Sequence, residues 1–129
     1  MKRGFFAAAA VGAVLFAAVT AFAQTAEPAK VMDTAKGKVL ADAKGMTLYT
    51  FDRDSGGKSV CSGQCATNWP PVMATATSKA MGKWTVIARD DGSKQWAYDG
   101  KPLYLWSKDT KPGDVTGDGV NNVWKIAKP

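Results

Sequence analysis

The 129-residue chain contains no histidine and only two cysteines, Cys61 and Cys65. Without histidine, the commonest general base, the commonest metal ligand and every His-containing catalytic triad are absent. No nucleophile stands beside a base and no cofactor fingerprint is present, so neither an enzyme nor a bound cofactor is expected. Charge of one sign is nowhere concentrated: 17 basic and 11 acidic residues are dispersed along the chain. That excludes the dense basic surface that nucleic acid requires. Beyond residue 23 there is no long apolar run and no sustained helical period with caps. No stable membrane span is therefore expected in the mature chain, and the fold must be made largely from strands.

The one long apolar run is N-terminal. Lys2 and Arg3 precede an apolar stretch from Phe5 to Val19, and Ala21-Phe22-Ala23 has the A-x-A form of a cleavage site. The run is short for a bilayer and ends in small residues, which predicts a signal peptide over 1–23. The exported chain then begins at Gln24 and is periplasmic or secreted. No cysteine lies near the cleavage site to carry a lipid. The remaining 106 residues, with 15 basic and 11 acidic side chains (net +4), suffice for one small domain.

What the chain does have is a repeat. Displacing the sequence by 55 residues aligns 31–73 on 86–128 without a gap and with 8 identities. They include Gly37/Gly92, Gly45/Gly100, Leu48/Leu103, Tyr49/Tyr104, Asp54/Asp109 and Trp69/Trp124. Phe51/Trp106 and Arg53/Lys108 are close substitutions. A segment 24–30 is read as an N-terminal linker and 74–85 as the join between repeats. Repetition of this kind signals one structural unit used twice.

Each unit reads as strands and tight turns. In the second, WTVIAR (84–89) and KQWAY (94–98) are strands, DDGS (90–93) is a turn, and Asp99-Gly100 is a two-residue hairpin signal. PLYLW (102–106) follows, with Pro102 at its start, where a missing N–H is least harmful. The first unit holds KVMDT, KVLAD and MTLYTF in the same order. A long loop then leads to Trp69 or Trp124, and 73–83 reads as a helical turn or linker. The fold class is thus all-β or β-rich: two antiparallel meanders, each with a long loop, packed as one pseudo-symmetric domain.

The segments LYTFDRD (48–54) and LYLWSKD (103–109) carry the repeat's strongest signal. Residues two apart on a strand share a face, so Tyr49 lies with Phe51 and Tyr104 with Trp106, opposite Leu48 and Leu103. Apolar bulk on both faces predicts a central strand. Asp54 and Asp109 fall just past the strand, where a carboxylate accepts backbone N–H groups of the following loop or the hydroxyl of a tyrosine. In one reading all six residues are frame. In another, two equivalent Tyr/Asp sets line a groove and bind a polar ligand. Catalysis by the carboxylate pair needs a cleft and a defined separation, and the sequence shows neither.

GMTLYTFDRDSGGKSVCSGQCATNWPPV (45–72) and YDGKPLYLWSKDTKPGDVTGDGVNNVW (98–124) resemble the bacterial family of secreted repeats described as predicted lipoproteins with a conserved Tyr-x-(Phe/Trp/Tyr)-x-x-Asp motif. The resemblance covers nearly the whole mature chain. It implies export and two repeats, and carries no biochemical activity. The chain departs from a lipoprotein in lacking a cysteine at the signal end.

Three further features carry alternatives. Cys61 and Cys65, four apart in an exported chain, are expected as a disulfide. Otherwise they are a Cu(I)-binding thiol pair helped by Met46 or Met73, or a redox-active couple. Asp114, Thr116 and Asp118 stand at calcium-loop spacing with Gly119 following, but Lys125 occupies the position of the bidentate acid. Trp69-Pro70-Pro71 is either a buried tryptophan with a rigid exit or an extended segment for a partner. The function expected from these residues is a non-enzymatic envelope protein that binds a small ligand or an envelope protein, using the motif faces or the loops at 54–69 and 109–124. A metal (Cu(I) or Ca) or thiol-redox protein is the alternative.

Overall fold

The computed structural model describes residues 27–129. The expected signal peptide over 1–23, and residues 24–26 of the linker, lie outside them. In the first repeat β1 (Lys30–Thr34) and β2 (Gly37–Ala41) form an antiparallel hairpin with Thr34 opposite Gly37. In the second, β5 (Trp84–Ala88) and β6 (Lys94–Tyr98) do the same. β6 turns into β7 (Lys101–Pro102) through Asp99 and Gly100. Their φ values of 52° and 83° are those of a type I′ hairpin, whose twist matches the strands on either side. The motif strand of the first repeat is β3 (Tyr49–Phe51). Its counterpart at 103–105 is held by bridges at Tyr104. The segment 73–83 is not helical: it opens with β4 (Met73–Ala74), paired to β6, and continues in turns. Each long loop contains one short helical element, α1 (Gln64–Asn68) and a single turn at Val120–Asn122.

The two motif strands meet at the tyrosines. Tyr49 N–H donates to the Tyr104 carbonyl at 2.8 Å, and Tyr104 N–H to the Tyr49 carbonyl at 2.9 Å. An axis relating the repeats passes between them. On its other side each motif strand pairs with the closing strand of the opposite repeat. β3 lies against β8 (Trp124–Ile126), with Tyr49 opposite Ile126. Tyr104 is bridged to Pro71, and Leu105 N–H donates to the Pro70 carbonyl at 2.7 Å. The exchange continues where the strands end: Asp52 N–H reaches the Val123 carbonyl at 2.7 Å, and Ser107 N–H the Asn68 carbonyl at 3.0 Å. The third strand of each meander thus belongs as much to the other repeat as to its own.

The gap-free alignment conceals a compensated shift. Met32 faces Val39 across the first hairpin, but Ile87 faces Gln95 across the second, one residue further along than the displacement of 55 implies. The β5–β6 connection is one residue longer than β1–β2, with Arg89 N–H bonded to the Ser93 carbonyl. The turn after β6 is one residue shorter than the turn after β2, where Asp42 N–H bonds to the Met46 carbonyl. Burial follows the shift: Val39, Leu40 and Ala41 are buried, and so are Gln95, Trp96 and Ala97.

The motif strands separate two cores. Tyr49, Tyr104, Trp69 and Trp124 fill one, with Phe51 and Trp106 packed on it. Leu48 and Leu103 face the other, with Leu40, Trp84, Trp96 and Ala127. Each buried large apolar side chain contributes about 1.5–3 kcal/mol, so a strand apolar on both sides is held centrally.

Candidate functional site

The first core is built around a ladder of four aromatic rings. Phe51 stacks on Trp124 at 4.2 Å between centroids, Trp124 on Trp69 at 3.8 Å, and Trp69 on Trp106 at 3.9 Å. The repeat relates Phe51 to Trp106 and Trp69 to Trp124, so the axis runs through the middle of the ladder. Tyr49 meets Trp69 edge-on at 5.5 Å and Tyr104 meets Trp124 edge-on at 5.2 Å. Stacked and edge-to-face arrangements avoid the repulsion of superposed ring quadrupoles and add about 0.5–1.5 kcal/mol per pair to their burial.

The motif is completed crosswise. Tyr49 donates its hydroxyl to Oδ2 of Asp109 at 2.6 Å, and Tyr104 to Oδ2 of Asp54 at 2.6 Å. The remaining oxygens pin the loops. Asp109 Oδ1 accepts the Thr116 N–H at 3.0 Å and its hydroxyl at 2.6 Å. Asp54 Oδ1 accepts the Val60 N–H at 2.8 Å. Both roles foreseen for the aspartates are present, the second of them across the repeats. Burial, reinforced by the facing carboxylate, pushes both tyrosine hydroxyls well above the ordinary tyrosine value. They are therefore permanent donors.

The two sets are not identical. The Tyr49 hydroxyl also accepts the Gly117 N–H at 3.2 Å, and Gly117 lies tight under the ladder: a Cβ there would stand 2.9 Å from Trp69 Cη2 and 3.0 Å from Trp106 Cγ. The Tyr104 hydroxyl instead shares a 2.6 Å bond with Ser59 Oγ. Arg89 donates from Nη1 to Ser59 Oγ at 2.9 Å and to Gln95 Oε1 at 2.8 Å, and from Nη2 to the Cys61 carbonyl at 2.6 Å. Gln95 is buried where the first repeat has Val39, and its Nε2 donates to the Leu103 carbonyl at 2.7 Å. Burial raises the Asp54 carboxyl above its ordinary value, with the bonds from Tyr104 and Val60 and the charge of Arg89 opposing the rise.

Cys61 and Cys65 form a disulfide with Cα atoms 5.2 Å apart. Cys61 is buried and both pack on the aromatic core, so the crosslink ties α1 to the ladder. The calcium-like residues are drawn to separate partners. Asp114 Oδ2 accepts the N–H groups of Thr110 and Lys111, and these bonds, that of Thr110 foremost, draw its carboxyl down to about 2. The Thr116 hydroxyl serves Asp109, and Asp118 pairs with Lys36 at 3.1 Å. Among the described residues no group of three or more His, Cys, Asp or Glu side chains is arranged to hold a metal ion. Trp69 is buried, and the two prolines after it run beside Tyr104 and Leu105.

Where the loops 54–69 and 109–124 converge, a groove of 430 Å³ opens beside the ladder. Phe51, Trp69, Val123 and Trp124 form its apolar side, and Arg53, Asn68 and Asn121 its polar rim. Of the motif residues only Phe51 lines it. Two smaller pockets lie at equivalent places in the repeats. One, of 210 Å³, is lined by Met46, Leu105, Trp106 and Asp109; the other, of 130 Å³, by Lys101, Thr50, Phe51 and Asp54. The structure brings the six motif residues together around the first core; the sequence named Thr116 only as a calcium-loop position and Asn68 and Asn121 only through their loops, and did not single out Arg53, Ser59, Arg89, Gln95 or Gly117. A glutamine between strand residues, next to Trp96, was the one available signal for Gln95.

Residues 30–73 and 85–128 each match the model of a family described as a secreted repeat of unknown function. No curated protein and no solved structure matches the chain. No helix among the described residues is long and apolar enough to cross a membrane. With both matched segments coinciding with the two halves of the ladder, and together covering most of the chain, the protein belongs to this family of secreted repeats and carries two tandem copies of it.

Proposed function

We propose that this exported protein is a non-enzymatic binding module of the bacterial envelope, periplasmic or released, and that its site is the 430 Å³ groove beside the ladder. One observation carries the reading: both long loops and both repeat tryptophans converge on a concavity with an apolar side and a few polar side chains, the usual anatomy of a small-molecule site. The motif tyrosines and aspartates are the frame of that site and not its contacts, because their polar atoms are already paired with each other. The same saturation argues against catalysis by the carboxylates, since neither has an oxygen without a protein donor. Native and denatured mass spectra of protein purified from its own envelope, without chelator or reductant, test the reading. A native mass raised by a bound species supports a small-molecule site and identifies the species. A bare oxidised chain removes that support and directs the search to a protein partner by crosslinking in the intact envelope.

A further inference from the structure

We propose that Cys61 and Cys65 form a latch on the groove wall, which a dithiol opens by thiol–disulfide exchange at Cys65 while the protein stays folded. The latch lies on the wall of the proposed binding site, but the exchange stands whether or not a ligand fills the groove. A difference between the repeats carries it. A displacement of 55 puts Thr116 and Val120 where the first repeat has Cys61 and Cys65. In the second repeat the loop between these positions is held by other elements. Gly117 N–H donates to the Tyr49 hydroxyl at 3.2 Å, and Gly119 N–H to the Trp124 carbonyl at 2.8 Å. Asp118 accepts the Ile126 N–H at 3.3 Å and pairs with Lys36 at 3.1 Å. The first repeat holds its loop differently. Among the described residues, every hydrogen bond made by 62–67 stays within 63–69, none of its side chains is buried, and no side chain caps α1. Trp69 and the Ser107 N–H on the Asn68 carbonyl anchor only its far end. The near end is fixed by the covalent bond from Cys65 to the buried Cys61. A reducible bond thus does in one repeat what hydrogen bonds and an ion pair do in the other.

The two cysteines are unequally placed. Cys61 is fully buried, whereas Cys65 is partly exposed and lines the groove. An incoming thiolate therefore meets Cys65. It bonds to Cys65 Sγ as the bond between the two cysteines breaks, and Cys61 leaves as a thiolate that takes up a proton. Burial opposes that thiolate, and the guanidinium of Arg89, donating to the Cys61 carbonyl at 2.6 Å, favours it. Against a monothiol, Cys61 is only four residues away and re-forms the original bond. A dithiol completes the reaction: its second thiolate attacks its own sulfur in the mixed disulfide, Cys65 leaves and is protonated, and the dithiol ends as a disulfide. Two electrons and two protons have then passed from the dithiol to the cysteine pair. The ladder of Phe51, Trp124, Trp69 and Trp106 is built from residues outside 62–67 and survives. The groove loses its fixed wall at Cys65.

The test treats the oxidised protein with dithiothreitol in buffer without denaturant, traps thiols with iodoacetamide, and follows the tryptophans by near-ultraviolet circular dichroism. The expected result is reduction faster than global unfolding, with the tryptophan signal retained. Amide exchange over 62–67 should then quicken about tenfold, while that over 117–122 stays unchanged. Two single variants read the direction of attack. Both lack the crosslink, so loss of the disulfide affects them alike. Cys61→Ser should take up glutathione from glutathione disulfide about tenfold faster than Cys65→Ser, because its remaining thiol is the accessible one. Reduction only at the rate of global unfolding, unchanged exchange over 62–67 in the reduced protein, or equal uptake of glutathione by the two variants would each overturn the proposal. None of these readouts involves a ligand, so such a failure leaves the binding reading to its own test.

Discussion

The hydroxyls of Tyr49 and Tyr104 each close a bond between repeats, the first buried and the second part-buried. Tyr49→Phe removes the donor from Asp109 and the acceptor of the Gly117 N–H, and should cost about 1–3 kcal/mol in urea unfolding. Tyr104→Phe leaves Ser59 and Arg89 to compensate and should cost less. Gly117→Ala drives a methyl into Trp69 and Trp106 and should cost about 1–3 kcal/mol by overpacking, with the Trp69 and Trp106 indole resonances displaced. The aspartates act in different pH windows. Because the folded Asp54 carboxyl titrates above its ordinary 3.8, the folded state holds the proton longer than the unfolded chain; that contribution is complete below 3.8 and lost as pH rises through the folded value. Asp114 titrates near 2 when folded, so its contribution is present above 3.8 and lost as pH falls toward 2. Thermal scans of Asp54→Asn against the parent should differ in pH slope just above 3.8, and those of Asp114→Asn only below it. The residues of the motif were legible because identity and spacing recur. Arg89 and Gln95 were not, since a lone polar residue on a strand reads as solvent-facing until its neighbours in space are known.

At the scale of elements, hairpins were the most legible part of the chain. Asp99-Gly100 requires left-handed backbone at two successive positions, and few residue pairs supply it, so sequence and turn correspond closely. The register of β6 was not legible. One added residue in one turn and one removed from the next leave the alignment gap-free while moving β6 by one position, and only the pairing with β5 reveals it. The disulfide closes a short loop, for which the chain-entropy model assigns about 2 kcal/mol. Replacing both Cys61 and Cys65 by serine should therefore lower stability by about that amount and leave the near-ultraviolet signal of the tryptophan ladder in place. Complete loss of that signal would show that α1 is held by the crosslink alone.

At the scale of the molecule, the repeats are interlocked. The closing strand of each pairs with the motif strand of the other, and each tyrosine is capped by the other's aspartate. A single repeat, 27–80 or 81–129, has an unpaired motif strand, half a ladder and a buried tyrosine without its acceptor. Each is expected to be unfolded alone by circular dichroism and amide dispersion. Mixing the two should restore the ladder, with tryptophan fluorescence following the concentration of the complex. A folded isolated repeat would contradict the exchange of strands.

The amino-acid sequence by itself determined that the unit is used twice, that it is made of strands and tight turns, and that Tyr, an aromatic and Asp recur in both copies at one spacing. These follow from local rules, where spacing and turn chemistry act within a few residues. Which tyrosine meets which aspartate was decided only in three dimensions. Within one repeat the Asp lies beyond the end of the strand that carries its Tyr; pairing the two motif strands through Tyr49 and Tyr104 brings each tyrosine to the opposite loop. The groove has the same origin, because its walls are two loops that are 55 residues apart in the chain and adjacent only when the ladder is assembled.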